Sequence, residues 1–245
     1  FTYSFNPSYT IAEQVKLFAN IASGFRAPSL YHLASEYGNT RLQPEKSTSY
    51  EGGVQYFNKG NTVNIRVNYF NRIIRDVIIF RSLSAPPYAQ YDNADKQKDH
   101  GFELEATLLP AARWSIRANY TYTNGKVTTL SPGSGKDSSY YNLYRRPKNT
   151  ANLTLGYQAS AKWYASLGFR WVDKRDDLFY NSNTFSTEQK VLAAYYNLDV
   201  YISYQAASFV KIFADLRNIT NRQYFDLYGY NSRRFNFMAG ILLNF

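Results

Sequence analysis

Polar and apolar residues take turns along most of this 245-residue chain. At its end, Phe235, Phe237, Ala239, Ile241, Leu243 and Phe245 alternate with Asn236, Met238, Gly240, Leu242 and Asn244. A period of two marks a strand with one apolar face. The same pattern predicts ten further strands, at about 1–5, 15–23, 46–57, 62–80, 90–109, 114–122, 146–158, 162–173, 194–205 and 209–219. In the sixth, Trp114, Ile116, Ala118, Tyr120 and Tyr122 oppose Ser115, Arg117, Asn119 and Thr121. The first strand is predicted to end at Asn6-Pro7-Ser8.

The connections sort by length. Short ones fall at Asn58–Asn61, Pro110–Ala112, Ala159–Ala161 and Ala206–Ser208, with Asn6–Gln14 somewhat longer. Between them lie long, polar, Tyr- and Gly-rich segments: 24–45, 81–89, 125–145, 174–193 and 220–232. Short turns at one end and long loops at the other are the signature of an outer-membrane β-barrel, whose long loops are extracellular. A β-sandwich can alternate too, but its loops need not sort this way. The fold predicted is all-β, a transmembrane antiparallel barrel spanning residues 1–245 as part of one domain.

The alternation also sorts the charges. Arg66, Glu103, Glu105, Arg117, Arg170, Asp199, Lys211, Asp215 and Arg217 all fall opposite the apolar residues of their strands. An Arg or Lys facing lipid at the bilayer midplane costs about 2–4 kcal/mol. These nine are therefore assigned to the lumen, which is too polar to be a dry core. An antiparallel barrel closes with an even strand number, and an exposed edge in hydrocarbon is not tolerated. Eleven strands thus predict part of a larger barrel whose remainder lies N-terminal.

Composition adds three constraints. There is no Cys, so neither a disulfide nor a thiolate metal site can form. The longest apolar run, Phe237 to Leu243, is far short of the roughly 20 residues of a transmembrane helix. Aromatics reach 18%, with 24 Tyr and 17 Phe, which suits interfacial girdles and equally a large ligand-binding β-protein. The net charge of +10 would ordinarily raise nucleic acid as a partner, but the basic residues are scattered and many fall between strands. They fit a solvated rim, or contact with an anionic outer leaflet (lipid and lipopolysaccharide) or an anionic ligand.

Several segments then resemble the C-terminal half of a TonB-dependent outer-membrane transporter. They are Gly24-Phe25-Arg26-Ala27-Pro28-Ser29-Leu30, Leu42-Gln43-Pro44-Glu45-Lys46-Ser47, Tyr50-Glu51-Gly52-Gly53, His100-Gly101-Phe102-Glu103-Leu104-Glu105, Arg146-Pro147-Lys148-Asn149-Thr150-Ala151 and Leu216-Arg217-Asn218-Ile219-Thr220-Asn221-Arg222-Gln223-Tyr224. The resemblance covers essentially the whole chain. It implies the second half of a barrel of about 22 strands, closed by an N-terminal plug that this sequence lacks. It further implies active uptake of a scarce, bulky nutrient, energised by the TonB–ExbB–ExbD complex through the missing part. Within the family, Tyr224-Phe225-Asp226-Leu227-Tyr228-Gly229-Tyr230 with Arg233-Arg234 looks most like the cobalamin (vitamin B12) transporters, while ferric-siderophore receptors read similarly here. Some family members also dock a surface lipoprotein on their loops. The cobalamin group's calcium-binding loops would lie outside this sequence.

Catalytic chemistry finds little support. His32 and His100 lie in separate segments without a ligand-spaced Cys or carboxylate, so no metal site or cofactor is expected. There is no Gly-x-Ser-x-Gly elbow for an outer-membrane hydrolase, and Ser131-Pro132-Gly133-Ser134-Gly135-Lys136 lacks phosphate-loop spacing and reads as a loop tip. The candidates for ligand contact are loop aromatics: Tyr88, Tyr91, Tyr140, Tyr141, Tyr144, Phe179, Tyr180, Tyr228 and Tyr230. Each offers large contact area at low entropy cost, and each could instead serve an aromatic girdle or loop packing. A passive porin or autotransporter barrel is the rival from a different class. Phe245 is assigned to barrel assembly. Deleting it is expected to lower the yield of folded barrel in the membrane while leaving the ligand affinity of the assembled fraction unchanged; normal yield would remove that role.

Overall fold

A computed structural model describes residues 1–83, 85–130, 137–140 and 144–244. Its strands in chain order are β1 (Ser4–Phe5), β2 (Ser8–Ile11), β3 (Val15–Arg26), β4 (Glu45–Phe57), β5 (Val63–Ser82), β6 (Ala89–Ala111), β7 (Trp114–Leu130), β8 (Asp137–Tyr140), β9 (Asn149–Gln158), β10 (Trp163–Val172), β11 (Arg175–Asn181), β12 (Ser186–Leu192), β13 (Tyr195–Ala207), β14 (Val210–Arg217) and β15 (Asn236–Leu243). One short helix, α1 (Leu30–Ala34), lies between β3 and β4. The main sheet runs β1-β3-β4-β5-β6-β7-β9-β10-β13-β14-β15, antiparallel throughout, with β2 also on β3. β1 and β2 are one edge strand: Phe5 faces Ile21, Ser8 faces Phe18, and the Ala19 amide donates to the Pro7 carbonyl at 3.0 Å between them. That makes eleven positions in the path, as the periodicity predicts.

Two expectations need correction. The first strand does not end at Asn6-Pro7-Ser8; it continues to Ile11. Pro7 cannot donate to the ladder, but its carbonyl still accepts from Ala19, and pairing with β3 resumes at Ser8. The long segments are also not plain loops. β7 runs to Leu130 with β8 paired to it, and β11 and β12 form a separate hairpin between β10 and β13. Helix α1 is closed by a capping box: the Ser29 hydroxyl accepts from the His32 amide, and the His32 ring accepts from the Ser29 amide.

Register carries the alternation across the sheet. Val54 faces Val67, which faces Leu104, which faces Tyr120. Farther along, Ile116 faces Leu155, then Leu167, Val200 and Leu216 follow on successive strands. Among the described residues no second layer covers this face. Trp114 is 46% exposed, Trp163 48% and Leu167 39%, so the largest apolar side chains face outward rather than into a core. The small buried cluster of Val77, Ala94 and Val127 belongs to the far ends of β5, β6 and β7, which outgrow the roughly ten residues needed to cross a bilayer.

The opposite face is bent around glycine. Phe18 lies over Gly53, Phe70 over Gly101 and Phe213 over Gly240, each directly across a strand pair. A Cβ at Gly101 would sit 2.6 Å from the Phe70 ring and closer still to the Tyr122 carbonyl; at Gly53 it would meet the Val67 carbonyl at 2.3 Å. The ring covers backbone that the glycine leaves bare, as in aromatic rescue of strand glycines. Gly101→Ala is therefore expected to cost about 1–3 kcal/mol by overpacking and to reduce heat-modifiable folded barrel on gels. Gly60→Ala, where a Cβ meets nothing nearer than 3.8 Å, should leave it unchanged.

Candidate functional site

The polar face and the long-loop end together make the candidate site. One register row on the polar face is polar across eight strands: Lys16, Gln55, Arg66, Glu105, Asn119, Asn152, Arg170 and Asn197. Arg66 stands directly opposite Glu105 and places its guanidinium 4.4 Å from the Phe18 ring centre. Asn152 donates to Asn119 at 2.8 Å, Arg217 pairs with Asp215 at 2.9 Å, and Asp199 accepts from the Asn218 amide at 2.7 Å. All nine charged residues assigned to the lumen lie on this face.

A cleft of about 330 Å³ opens higher on the same wall, lined by Ser49, Glu51, Asn68, Phe70, Arg72, Glu103, Thr123, Arg146 and Pro147. Arg72 is tied to the buried Asp99, which Gln97 also binds. The Asn68 Oδ1 is buried there without a partner. This wall holds carboxylates, guanidinium groups and amides in alternation. It presents polar groups of both signs to the space beside it.

At the long-loop end, two aromatic clusters form. In the first, Tyr91 gathers the α1 segment: its ring centre lies 4.7 Å from His32, 5.2 Å from Phe80 and 6.1 Å from Tyr31, with Tyr37 5.4 Å from Phe80. Glu45, nearly buried, accepts from Arg26 at 2.6 Å and from the Ile78 amide at 2.8 Å, anchoring the same segment.

The second cluster clamps the β11–β12 hairpin to the segment after β14. Arg175, with its side chain 2% exposed, donates to Asp226 at 2.9 Å and to the Phe225 carbonyl at 2.5 Å. The Tyr195 hydroxyl also donates to Asp226, and its ring stacks on Tyr224 at 4.1 Å. Asp177, fully buried, accepts from Arg145 at 2.6 Å and from the amides of Tyr228 and Leu178 at 2.8 Å each. Burial pushes the Asp177 carboxyl up, but the Tyr228 amide and the Arg145 guanidinium outweigh it and hold it below the usual carboxylate range. Phe179 meets Tyr228 edge-on at 4.9 Å, over Gly229, whose φ of +81° favours a residue without a side chain.

The predicted aromatics thus divide. Tyr91, Phe179 and Tyr228 are packed into these clusters, whereas Tyr88 at 65% and Tyr230 at 68% exposure remain open for contact. Tyr144 is half-buried. Tyr141 and Phe245 lie outside the described residues, as do the side chains of Tyr140 and Tyr180. The sequence reading missed Tyr31, Tyr37 and Phe80, whose signal was the aromatic pairing of facing loop bases. It also missed the anchors Asp177, Arg175 and Asp226, which lie in the segments read as loops and carry no spacing of their own.

Residues 1–219 match the family described as TonB dependent receptor-like, beta-barrel. The chain belongs to this family. Membership places it in the outer membrane. Its fold is similar to the ferripyoverdine receptor of the Pseudomonas aeruginosa outer membrane bound to ferripyoverdine (TM-score 0.77, 20% identity, covering 99% of this chain and 32% of that one). It is also similar to the siderophore receptor PirA from Acinetobacter baumannii (0.76, 16%, 100% and 41%) and to the copper transporter OprC (0.75, 18%, 99% and 39%). The chain therefore spans about a third to two fifths of the length of these receptors. At such identities the likeness is one of fold.

The clamp makes a pH prediction. A carboxyl whose folded pKa lies below its unfolded value, about 3.9 for Asp, stabilises above that value and loses the contribution as pH falls through the folded pKa. Protease cleavage within 174–194 is expected to stay slow at neutral pH and to rise as pH drops below about 4. Asp177→Ala should show the fast cleavage already at neutral pH, since it strands the Tyr228 amide at about 1–3 kcal/mol. Equal cleavage of both proteins at neutral pH would show the clamp to be idle.

Proposed function

We propose that this chain forms the C-terminal part of a receptor barrel that takes up a ferric siderophore or a similar bulky metal chelate. The observation that carries the reading is the long-loop end itself. Tyr88 and Tyr230 are exposed and lie in sequence beside Tyr91 and Tyr228, members of aromatic clusters anchored by the ion pairs of Glu45, Asp177 and Arg175. Rigid aromatics supply area to a large ligand at low entropy cost, and hydroxyls meet its polar edges. The siderophore receptors named above support the choice of cargo, and the copper transporter among them supports a metal-bearing one.

The sequence resemblance pointed first to cobalamin, on the strength of the 224–234 segment. In the structure that segment is largely occupied. Tyr224 stacks on Tyr195, Asp226 binds Arg175, and Arg234 donates to the Asn221 carbonyl at 3.2 Å. Residues spent on clamping loops leave less to recognise a corrin, so the ferric chelate is the better reading. Transport through the polar lumen would need the rest of the barrel, its plug and the TonB–ExbB–ExbD complex. The open sheet agrees, because among the described residues β15 and the β1–β2 edge each have one neighbour only, and unpaired edges do not persist in hydrocarbon.

Full-length protein titrated with ferric hydroxamate, ferric catecholate and mixed-ligand siderophores, with cyanocobalamin and with Cu²⁺, tests this. At least one ferric siderophore should bind below about micromolar, and Tyr88→Ala with Tyr230→Ala should weaken it roughly ten-fold or more, as for exposed aromatic anchors. Submicromolar cyanocobalamin binding without any siderophore binding would overturn the choice of cargo.

A further inference from the structure

The connection from β14 to β15 has no core of its own. None of residues 219–235 is buried, and only Tyr224, Leu227 and Ser232 among them are half-covered. Leu227 meets Tyr230 in a single bridge. A segment so exposed cannot be aimed by apolar packing, yet it delivers Asp226 and Tyr228 to the β11–β12 hairpin and carries the exposed Tyr230. Polar ties must set its course.

Those ties converge on two asparagines. Asn218, 3% exposed, holds both legs of the connection. Its Oδ1 accepts from the Arg222 amide at 2.9 Å, while its Nδ2 donates to the Arg222 carbonyl at 2.8 Å and to the Arg233 carbonyl at 3.4 Å. Its own amide donates to Asp199 on the inner wall at 2.7 Å, which hangs the neck from β13. Asn221 repeats the device: its Oδ1 accepts from the Phe235 amide and its carbonyl from the Arg234 guanidinium, each at 3.2 Å. Residues 222–233 are thus an Ω-loop cinched at its neck by side chains.

The residue type is dictated at Asn218. Its φ is +50°, in the left-handed region that Asn tolerates better than most side chains. It must also donate to two carbonyls while accepting from an amide, which an amide side chain can do and a carboxylate cannot. Tyr230 depends on the result. Toward the N-terminus it is fixed through Tyr228, whose amide binds Asp177. Toward the C-terminus, the chain from Asn231 to Phe235 is tied back by the Ser232 hydroxyl to the Tyr224 carbonyl and by Asn218 and Asn221. We propose that Asn218 is a positioning residue for cargo binding, which fixes the return leg of the Ω-loop and so the aim of Tyr230. Its part in binding rests on the reading of Tyr230 as a ligand contact; its hold on the loop does not.

A nitroxide attached through Tyr230→Cys, in full-length receptor without other reactive thiols, reads that hold by electron paramagnetic resonance with no ligand present. Asn218→Asp, which sets a carboxylate against two carbonyls, is expected to shorten the label's rotational correlation time at least about two-fold, while the yield of heat-modifiable barrel stays at the wild-type level. Ferrioxamine B and ferric enterobactin then probe binding. For whichever binds, Asn218→Asp should weaken affinity about three- to ten-fold, and Tyr230→Ala added to it should cost little more, because residues acting as one unit are not additive. Tyr88→Ala, beside the other aromatic cluster, should instead multiply the loss. Should Asn218→Asp not assemble, Asn218→Gly keeps the left-handed backbone and the bond to Asp199, loses every side-chain tie, and carries the same expectations. Unchanged label mobility, or losses from Asn218→Asp and Tyr230→Ala that multiply, would overturn the proposal. Failure of both chelates to bind would count against the chelate reading, and the mobility comparison alone would then decide the role of the neck.

Discussion

A backbone amide or carbonyl inside hydrocarbon has no water to turn to. Every strand that crosses must be paired on both sides, and every side chain facing lipid must be apolar. The rest of this structure follows from that constraint. It explains a sheet of eleven positions without a second layer, large aromatics exposed along one face, and buried hydrophobic residues concentrated where the strands leave the membrane. A soluble sandwich with this sequence would have packed Trp114, Trp163 and Leu167 against another sheet. Here they are left for lipid, and cohesion comes from ladders of hydrogen bonds running sideways.

The same constraint shapes the opposite face. Closing a sheet into a cylinder requires strong coiling, which crowds side chains on the inside of the curve. Gly53, Gly101 and Gly240 relieve the crowding, and Phe18, Phe70 and Phe213 cover the bare backbone they leave. Between these pairs the wall is free to carry Arg66, Glu105, Arg170 and the amides of Asn119 and Asn152. Curvature, and with it the width of the passage, is thus set by apolar contacts within a polar lumen, while the charges between them keep it wet. Higher up, where no bilayer covers the chain, buried ion pairs replace lipid as the organising medium and hold the aromatic loops still.

Period-two alternation made the strands legible from sequence, because a strand with one face in lipid cannot miss a beat without exposing charge to hydrocarbon. The short-turn end was legible too, since Asn58-Lys59-Gly60-Asn61 and its counterparts carry turn chemistry. Failures came where the membrane stops imposing its rule. Pro7 looked like a terminator because proline cannot donate to a ladder, yet its carbonyl accepts from Ala19 and the pairing with β3 resumes at Ser8. The β11–β12 hairpin, with its mixed polar sequence from Arg175 to Leu192, has no periodicity to read. Asp177 and Arg175 looked like ordinary surface charges, and their burial depends on Tyr228 and Asp226 arriving from about 50 residues away. Pairing at that range leaves no local trace.

Alternation also decides how the net charge of +10 is distributed. A one-residue step along β5 or β6 moves a side chain from one face to the other. Arg72 on the inner face is held by Asp99, Arg26 by Glu45, Arg217 by Asp215, and Arg66 stands across from Glu105. Arg75, Lys98 and Lys126, on the outer face of the same strands or their neighbours, have no such carboxylate among the described residues. On the inner face the sheet supplies its own counter-ions, because like charges set directly opposite one another destabilise it. The face on which a cation falls thus decides whether the sheet itself offers it a carboxylate partner.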